Sequence, residues 1–477
     1  MAINAQPTSP GKAYCWHPQM PATNSKSIAI LGAGVTGLAA AYRLAARGHR
    51  VRVFERRDRV GGAVGTEISD GWLVEAGPNS LQESPELSSL IRDLGLASER
   101  VEAGPQAKNR FLLKGGRAVA VPMSGPAFFK SDFLSAGAKL RLLGELLKRR
   151  KDRESEVSLA EFVRDHFGSE ILDRAVQPIV SGIYAGDPAV LSAREAFPKL
   201  VELERTHGSV LRGMIAGMGR RRKQGQGGPA RIISFRRGLQ ALPEALAARL
   251  PEGAVSLRTS VQRIIPGARW RVAFRHEQGE TDDEFDAVIS ALPAQALAEL
   301  TVGEDGLRPL APLSQIDHPP VSSLFLGFRR DQVAHPLDGF GILVPALERR
   351  WVLGVLFSSS LFPGRAPEGH VALTVMTGGS LQPEIGRLMT VDLISIVLAD
   401  LRSMLGITGE PVFWRHNFWP KAIAQYNIGF ASHRRLMADF EGANPGLFIG
   451  GQVRDGISVP DCLAAGLKLA ERACPSE

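Results

Sequence analysis

Cysteine is scarce in this chain of 477 residues, which contains only three. Cys15, Cys462 and Cys474 form no Cys-x-x-Cys pair, so the sequence predicts neither a disulfide framework nor a zinc site, and we expect no bound metal. So few cysteines without a pairing pattern favour a reducing compartment, and the cytoplasm is the expected location.

Long hydrophobic runs are also missing, since no stretch of about 18 apolar residues occurs in the sequence. The sequence therefore predicts no membrane-spanning helix. Residues 1–25 lack the apolar block of a secretory signal and are expected to be a disordered leader. A plastid transit peptide is the alternative, although Lys12 is the only lysine or arginine of this segment.

The charge balance is positive, with a formal net charge of +8, while hydrophobic (44%) and charged (22%) residues occur in ordinary globular proportions. A basic protein favours anionic partners, such as nucleic acid, acidic lipid or a carboxylated substrate. No recognised nucleic-acid-binding motif accompanies the charge, so a nucleic-acid partner is not expected. The chain is too long for one hydrophobic core, which predicts two or three lobes.

A glycine-rich turn near the start of the chain has the pattern of a dinucleotide-binding site. A short apolar run at 27–31 predicts a buried strand, and Gly-Ala-Gly-Val-Thr-Gly at 32–37 leads into an alanine-rich helix. The glycines permit a tight turn, close approach to a pyrophosphate and close helix packing, while the helix N-terminus faces the phosphates. A second strand ends at Glu55, which can bind a ribose diol. A glycine turn without a ligand is the alternative.

A second glycine pair follows at once. The stretch Arg59-Val-Gly-Gly-Ala-Val-Gly-Thr66 resembles the R-x-G-G-R-x-x-[ST] motif of the flavoprotein family that includes amine oxidases and phytoene desaturases. Ala63 stands where that motif has arginine, which puts one phosphate contact in question. No second strand–GxGxxG–helix unit follows, so we expect FAD without a separate NAD domain, and electron transfer to oxygen or another small acceptor.

The C-terminal segment repeats the order of strand, glycine loop and helix. Leu447–Gly451 has the pattern of the strand and loop, and a helix is expected to begin near Pro460 or Asp461. A helix N-terminus stabilises the negative charge of a reduced flavin. The FAD domain is therefore expected to contain both ends of the chain.

Further blocks, in one register over about residues 27–472, resemble the protoporphyrinogen oxidase family. Ala424, Phe430 and Pro460 depart from the family pattern, in the part expected to face the flavin. The matching blocks are E-x-G-P-N-S at 75–80, G-[VI]-Y-A-G-D-x-x-x-L-S at 182–192, GFGxLVP at 339–345, and a QYNLG-like segment at 425–429.

The resemblance implies an α/β fold with a discontinuous Rossmann-like FAD-binding domain, a mixed-sheet substrate domain and a helical, membrane-facing domain. In the helical domain, residues 136–150 place apolar side chains at helical spacing before a basic end, which suits an anionic lipid surface. An amphipathic core helix is the alternative. The expected ranges are 26–90, 232–300 and 430–477 for FAD, 91–105 and 301–429 for substrate, and 106–231 for the helical domain.

The same resemblance implies an activity: six-electron oxidation of protoporphyrinogen IX to protoporphyrin IX in haem or chlorophyll biosynthesis. Hydride passes to FAD, and oxygen takes the electrons as hydrogen peroxide. Coproporphyrinogen III is the alternative substrate, and an amine oxidase, a carotenoid desaturase or a flavin-holding porphyrin carrier are the rival functions. Peripheral membrane contact, a homodimer and competition by diphenyl-ether inhibitors are also implied.

The family's functional residues transfer to individual positions of this chain. Arg110 matches an arginine that pairs with a substrate propionate, although a surface arginine is the alternative. The Gly182 carbonyl matches one that faces the pyrrole N–H groups, and Phe340, Leu356 and Met376 match pocket walls. The expected FAD residues are Gly32, Ala33, Gly34, Val35, Thr36, Gly37, Glu55, Arg56, Gly62, Ala63, Gly77, Pro78, Asn79, Ser80, Val261, Trp419, Gly451, Ile457, Ser458 and Val459.

Overall fold

A computed structural model describes residues 25–122, 131, 133–149, 155–223 and 231–475. The expected leader lies almost wholly outside the described residues, and so does Cys15. Within the described ranges, no helix is both long enough and apolar enough to cross a membrane.

A five-stranded parallel sheet gathers segments from the start, the middle and the end of the chain. All five residues of its central strand are buried, as expected for a parallel strand covered on both faces. The strand order across the sheet is Val255–Ser256, Arg50–Phe54, Ser27–Leu31, Ala287–Ser290 and Leu447–Ile449.

Two helices from opposite ends of the chain pack together beside this sheet. They are Val35–Ala45, which follows the first strand, and Val459–Ala473, near the C-terminus. A Cβ placed on Gly466 would lie 2.2 Å from the backbone oxygen of Thr36, so only glycine permits this approach. The two ends of the chain are thus joined by direct helix packing.

Smaller sheets and helices surround the parallel sheet. A four-stranded sheet contains Gly279–Phe285, Trp270–His276, Ser260–Ile265 and Thr301–Val302. A three-stranded sheet contains Leu81–Gln82, Ile232–Phe235 and Arg100–Glu102, and a hairpin joins Thr66–Ser69 to Trp72–Glu75. The neighbouring helices are Pro85–Asp93, Ala241–Ala248, Ala294–Glu299 and Phe430–Ala443.

A seven-stranded mixed sheet forms the second large unit. The helix Thr390–Leu405 contributes Leu393, Val397 and Leu401 to the same apolar cluster as the strands. The strand order is Phe413–Trp419, Val321–Arg329, His370–Gly378, Val352–Leu356, Gly341–Leu343, Phe111–Lys114 and Arg117–Ala120.

The strand pairing differs from the expected domain boundaries at two places. Phe111–Lys114 pairs in parallel with Gly341–Leu343, so residues 111–120 belong to the mixed sheet and not to the helical domain. Arg100–Glu102 pairs with Ile232–Phe235, which joins it to a segment expected in the FAD domain. Both pairings are between segments more than 100 residues apart, and local sequence patterns do not encode such partners.

The helical unit is held together by a buried polar cluster. Both ring nitrogens of His166 contact carboxylates, Glu145 at 2.8 Å and Glu204 at 3.1 Å. Glu145 also accepts hydrogen bonds from the Ser209 hydroxyl and the Val210 backbone, so one side chain joins several helices. The longer helices here are Ala136–Glu145, Leu159–Phe167, Pro198–His207 and Val210–Lys223, with π-helical turns at Leu172–Val176 and Val180–Tyr184.

Candidate active site

The glycine fingerprint forms an open cradle at the carboxyl end of the first strand. A Cβ placed on Gly37 would lie 2.0 Å from the Gly32 oxygen, whereas one placed on Gly34 would meet nothing within 4 Å. Gly34 is the N-cap of the helix Val35–Ala45, and no side chain caps that helix. Uncapped backbone N–H groups beside open space fit a pyrophosphate, which agrees with the expected role of this turn.

Glu55 stabilises the cradle from the next strand. One carboxylate oxygen accepts the Ala33 N–H and the other accepts the Arg57 N–H, each over 2.9 Å. Each oxygen keeps a further lone pair that can accept a ribose hydroxyl. Arg56 is exposed and makes no side-chain hydrogen bond within the described residues. The role of Arg56 therefore stays a prediction.

The second glycine turn lies directly on the first. The Gly61 N–H donates to the Ala33 oxygen over 2.8 Å, and a Cβ on Gly62 would come within 3.2 Å of the Gly34 Cα. The Ala63 oxygen would lie 2.3 Å from a Cβ on Gly77, so the 75–80 segment touches this turn. Two groups of expected FAD residues, 62–63 and 77–80, are thereby brought together.

The Trp419 indole contacts the 75–80 segment. Its Nε1–H donates to the Ala76 oxygen over 3.0 Å, and a Cβ placed on Gly77 would lie 3.8 Å from the edge of its ring. Asn79 donates to the Gly77 oxygen and orders the turn that also contains Pro78 and Ser80. Trp419 therefore stands where the edge strand of the mixed sheet meets the glycine turns.

The C-terminal loop closes the other side of the cradle. The hydroxyl oxygen of Thr36 would lie 3.0 Å from a Cβ on Gly451, whose own φ is +99°. Ser458 caps the helix Val459–Ala473 by accepting the Asp461 N–H. The expected residues Ile457, Ser458 and Val459 thus stand at a helix N-terminus near the fingerprint.

Tyr426 holds this loop in place, a role that the sequence analysis missed. Its hydroxyl donates to the Gln452 oxygen over 2.6 Å and accepts the Gly456 N–H over 3.0 Å. Phe430, which departs from the family pattern, packs against the Tyr426 ring at a tilt of 32°, with centroids 4.3 Å apart. Burial raises the pKa of the Tyr426 hydroxyl, so it remains a neutral donor at physiological pH.

Val261 lies farther from the cradle, on the strand Ser260–Ile265, where it pairs with Phe274. Thr259, two residues before Val261, donates its N–H to the backbone oxygen of Glu55 over 2.8 Å. The strand is therefore anchored beside Glu55. An adenine contact at Val261 remains a prediction.

Glu75 and Arg365 form a buried pair at the start of the 75–80 segment, which the sequence analysis also missed. Their closest nitrogen and oxygen atoms are 3.6 Å apart, and both side chains are almost fully buried. Burial raises the pKa of Glu75 to about 7, opposed by hydrogen bonds from Thr66 and the Leu239 N–H and by the Arg365 charge. Arg365 reaches this site from a loop of the substrate unit.

Two of the expected pocket walls, Leu356 and Met376, share one face of the mixed sheet with Trp419, whereas Phe340 lies just before the strand Gly341–Leu343. On one side, Met376 pairs with Gly354, which lies two residues before Leu356 in its strand. On the other side, Met376 pairs with Ser323, and Val321, two residues before Ser323, pairs with Trp419. Because paired residues and residues two apart point to the same side of a sheet, Leu356, Met376 and Trp419 lie on one face. Leu356 and Met376 are half-buried on strands whose neighbouring residues are buried.

Gly182 rests against the same face. A Cβ placed on it would lie 2.5 Å from the Leu343 side chain, and Leu343 pairs with Gly354 in the sheet. The glycine lies in the π-helical turn Val180–Tyr184, whose C-cap Ala185 has a φ of +53°. Any larger residue at 182 would displace Leu343 from this face.

Arg110 and Phe340 lie toward the opposite edge of the seven-stranded sheet from Trp419. The guanidinium carbon of Arg110 is 4.7 Å from the centroid of the Phe340 ring. Backbone hydrogen bonds from Phe340 to the Asn109 oxygen and from Phe357 to the Phe340 oxygen fix this residue. Arg110 forms no ion pair with any carboxylate in the described part of the chain. Its charge thus stands at one end of an apolar face.

The comparison with known families decides the chemistry. The family described as flavin containing amine oxidoreductase matches residues 35–474. The chain belongs to this family. It is an FAD-dependent oxidoreductase of the protoporphyrinogen and coproporphyrinogen oxidase type, and the predicted mixed α/β flavoprotein fold and FAD cofactor are confirmed. Bound FAD would supply the hydride acceptor of such an oxidoreductase.

Relatives of both oxidase types cover nearly the whole of this flavoprotein. Protoporphyrinogen oxidase 2 of Arabidopsis thaliana is 34% identical, over 95% of this chain and 94% of its own. Coproporphyrinogen III oxidase of Staphylococcus aureus is 29% identical, over 94% of this chain and 98% of its own. The solved structure of a putative protoporphyrinogen oxidase from Exiguobacterium has a TM-score of 0.78 and 25% identity, covering 94% and 99%.

Proposed function

We propose that this flavoprotein oxidises protoporphyrinogen IX to protoporphyrin IX. Three molecules of oxygen take up six hydrogens in total and leave as three molecules of hydrogen peroxide. The observation that carries the proposal is the half-buried apolar face between Trp419, beside the flavin turns, and the Arg110 cation. A macrocycle with an apolar body and carboxylates on one edge has the matching chemistry.

The roles of the residues follow from their positions. Arg110 binds a propionate, because a planar guanidinium suits a carboxylate and no carboxylate of the described residues competes for it. The Gly182 carbonyl accepts hydrogen bonds from pyrrole N–H groups. Leu356, Met376 and Phe340 exclude water and hold the macrocycle flat. No protein base is needed, since the growing aromatic system favours release of the pyrrole proton, and orientation supplies most of the rate.

Coproporphyrinogen III is the second candidate substrate, because two relatives named coproporphyrinogen III oxidase match over 94% and 92% of this chain. It has two propionates where protoporphyrinogen has two vinyl groups. The placement of Arg110 at the end of an apolar face favours the dicarboxylate, because two further carboxylates on apolar surface would be desolvated without partners. We therefore expect protoporphyrinogen to have the higher kcat/KM.

The deciding experiment is an aerobic assay on purified holoenzyme. Both porphyrinogens are supplied separately, and porphyrin fluorescence and peroxide are followed together. Faster turnover of protoporphyrinogen, with three peroxides per porphyrin, is the expected result. Faster turnover of coproporphyrinogen reverses the substrate choice. Turnover of neither, with flavin bound, rejects the porphyrinogen activity and favours amine or polyene substrates.

We further propose that the helical unit rests on a membrane surface. Leu140, Leu143 and Leu147 are 68%, 48% and 83% exposed, and Met214 and Ile215 on the helix Val210–Lys223 are about half exposed. The two segments are joined, because an Arg212 side-chain nitrogen donates to the Lys148 oxygen over 2.7 Å. Apolar side chains with lysine and arginine beside them suit insertion between anionic headgroups.

Vesicle binding tests this surface. Sedimentation with anionic phospholipid vesicles should fall when Leu143 and Leu147 are both changed to glutamate. Leu307→Glu is the matched control, because Leu307 is 65% exposed but belongs to a turn beside the strand Thr301–Val302. Equal vesicle binding by wild type, the double variant and Leu307→Glu would show that the helical unit does not contact the membrane.

A further inference from the structure

Gln425 and Tyr426 are neighbours in the chain but hold two different parts of the site. The Gln425 amide nitrogen donates to the Tyr184 backbone oxygen over 2.9 Å, at the end of the π-helical turn that contains Gly182. The Tyr426 hydroxyl bonds the backbone of the C-terminal loop. Because adjacent Cα atoms are only about 3.8 Å apart, the turn and the C-terminal loop are joined through a single peptide unit.

The Gln425 side chain has one fixed orientation. It is buried, and its amide nitrogen also donates to the Ile423 backbone oxygen over 3.0 Å. Two carbonyl acceptors identify the end of the amide that faces Tyr184 as the nitrogen, since a carbonyl oxygen cannot donate. The Gln425 backbone N–H donates to the Asp317 oxygen over 2.9 Å, so the main chain is held as well.

The buried amide has an energetic cost that an apolar side chain of the same size would not have. Its oxygen Oε1 has no hydrogen-bond partner among the described residues, and an unpaired buried acceptor destabilises a fold. Oε1 faces Gly186, where a Cβ would collide with it. What the amide contributes is therefore its two donated hydrogen bonds, one of which reaches the π-helical turn.

The mixed sheet holds the same turn from the other side. Leu343 packs where a Cβ on Gly182 would lie, and the Ser380 N–H donates to the Ala185 oxygen over 2.8 Å. The last carbonyls of a helical turn lack partners within the helix, and Gln425 supplies one to Tyr184. The turn is therefore fixed between the sheet and the segment that holds the C-terminal loop.

We propose that Gln425 is a positioning residue, which sets the Gly182 carbonyl, and with it the macrocycle, at a fixed place relative to the C-terminal loop. This inference rests on the proposed function, in which that carbonyl accepts the pyrrole N–H groups. Reacting atoms must approach within about 3–3.5 Å, and a misplacement of about 1 Å can lower a rate about 100-fold. Gln425 itself is covered by protein and acts through the turn.

The test separates reduction of the flavin from binding of the substrate. Holoenzyme is mixed anaerobically with protoporphyrinogen, and bleaching of the flavin absorbance gives the limiting rate of reduction and the apparent Kd. The variant is Gln425→Met, which keeps the size of the side chain and removes its N–H donors. Gln332→Met is the matched control, because the Gln332 amide is also buried and donates to two backbone oxygens, those of Thr408 and Glu410.

Gln425→Met should lower the limiting rate of flavin reduction about 10-fold to 100-fold, with an apparent Kd within about threefold of wild type. Reoxidation by oxygen and release of FAD should match wild type, since neither depends on the turn. Gln332→Met should be reduced as fast as wild type. Amide hydrogen exchange of residues 180–186, measured by mass spectrometry without substrate, should become faster in Gln425→Met and not in Gln332→Met.

An unchanged reduction rate in Gln425→Met, or a change confined to the apparent Kd, overturns the positioning role. If neither porphyrinogen reduces the wild-type flavin, the proposed function itself fails, and this inference fails with it. If Gln425→Met does not fold, Gly186→Ala decides by the same criteria, because its methyl group would displace the Gln425 amide.

Discussion

The guanidinium of Arg110 lies over the ring of Phe340, 4.7 Å from its centroid, although 230 positions separate the two residues in the chain. Parallel pairing of the strands Phe111–Lys114 and Gly341–Leu343 brings them together. The aromatic face supports the cation from one side without neutralising it. Its N–H donors remain available for a carboxylate.

Replacing Arg110 should therefore weaken substrate binding and spare the flavin. For Arg110→Ala we expect KM for protoporphyrinogen to rise about 10-fold or more, because a charged hydrogen-bonded pair is lost. Flavin content by absorbance should equal that of wild type. Arg117→Ala, an exposed arginine on the neighbouring strand, is the control. An unchanged KM would remove Arg110 from the substrate site.

Gly34→Val should yield protein without FAD. Within the polypeptide a Cβ at Gly34 meets nothing, so the substitution harms only a ligand that approaches the backbone there. Gly442→Val is a stringent control, because a Cβ at Gly442 also meets nothing within 4 Å. The flavin-to-protein absorbance ratio after gel filtration is the measurement. Full flavin retention by Gly34→Val would contradict this placement of the pyrophosphate.

Tyr426→Phe should loosen the C-terminal flavin loop. The change leaves the Gln452 oxygen and the Gly456 N–H without their shared partner, at a cost of about 1–3 kcal/mol. We expect a lower melting temperature of the holoenzyme and faster FAD release. Tyr42→Phe on the helix Val35–Ala45 tests whether loss of any partly buried hydroxyl has this effect. Equal FAD release by both variants would argue against a special role for Tyr426.

Glu75 should make stability depend on pH. Its folded pKa of about 7 lies above the ordinary 4.5, so between these values the folded protein holds a proton that the unfolded chain has lost. The free energy of unfolding must therefore fall as pH rises through this window, by up to about 3 kcal/mol, and stay level above it. In Glu75→Gln, whose side chain cannot ionise, this fall in the free energy of unfolding should disappear.

Denaturant unfolding at pH 5 and pH 8 measures the difference. Glu67→Gln is the control, because Glu67 forms a more exposed ion pair with Arg415 near the same hairpin. If the free energy of unfolding falls equally in wild type and in Glu75→Gln from pH 5 to pH 8, Glu75 does not titrate in this window. A larger loss in Glu75→Gln would reverse the expected sign.

The cofactor site could largely be predicted from the sequence because its parts are local. Strand, glycine turn, helix and Glu55 lie within 30 residues, and the steric demands of Gly32 and Gly37 are demands of the backbone itself. Such constraints act through neighbours in the chain. The family resemblance added Leu356, Met376 and Trp419, and the register of the mixed sheet places these three side chains on one face.

Tertiary structure alone decided which residues became partners across the chain. Nothing local pairs Glu75 with Arg365 or moves residues 111–120 into the mixed sheet. Such pairings join segments far apart in the chain, and a local sequence pattern does not specify the partner. The sequence determined the nucleotide chemistry, whereas packing between distant segments determined where each charge is held.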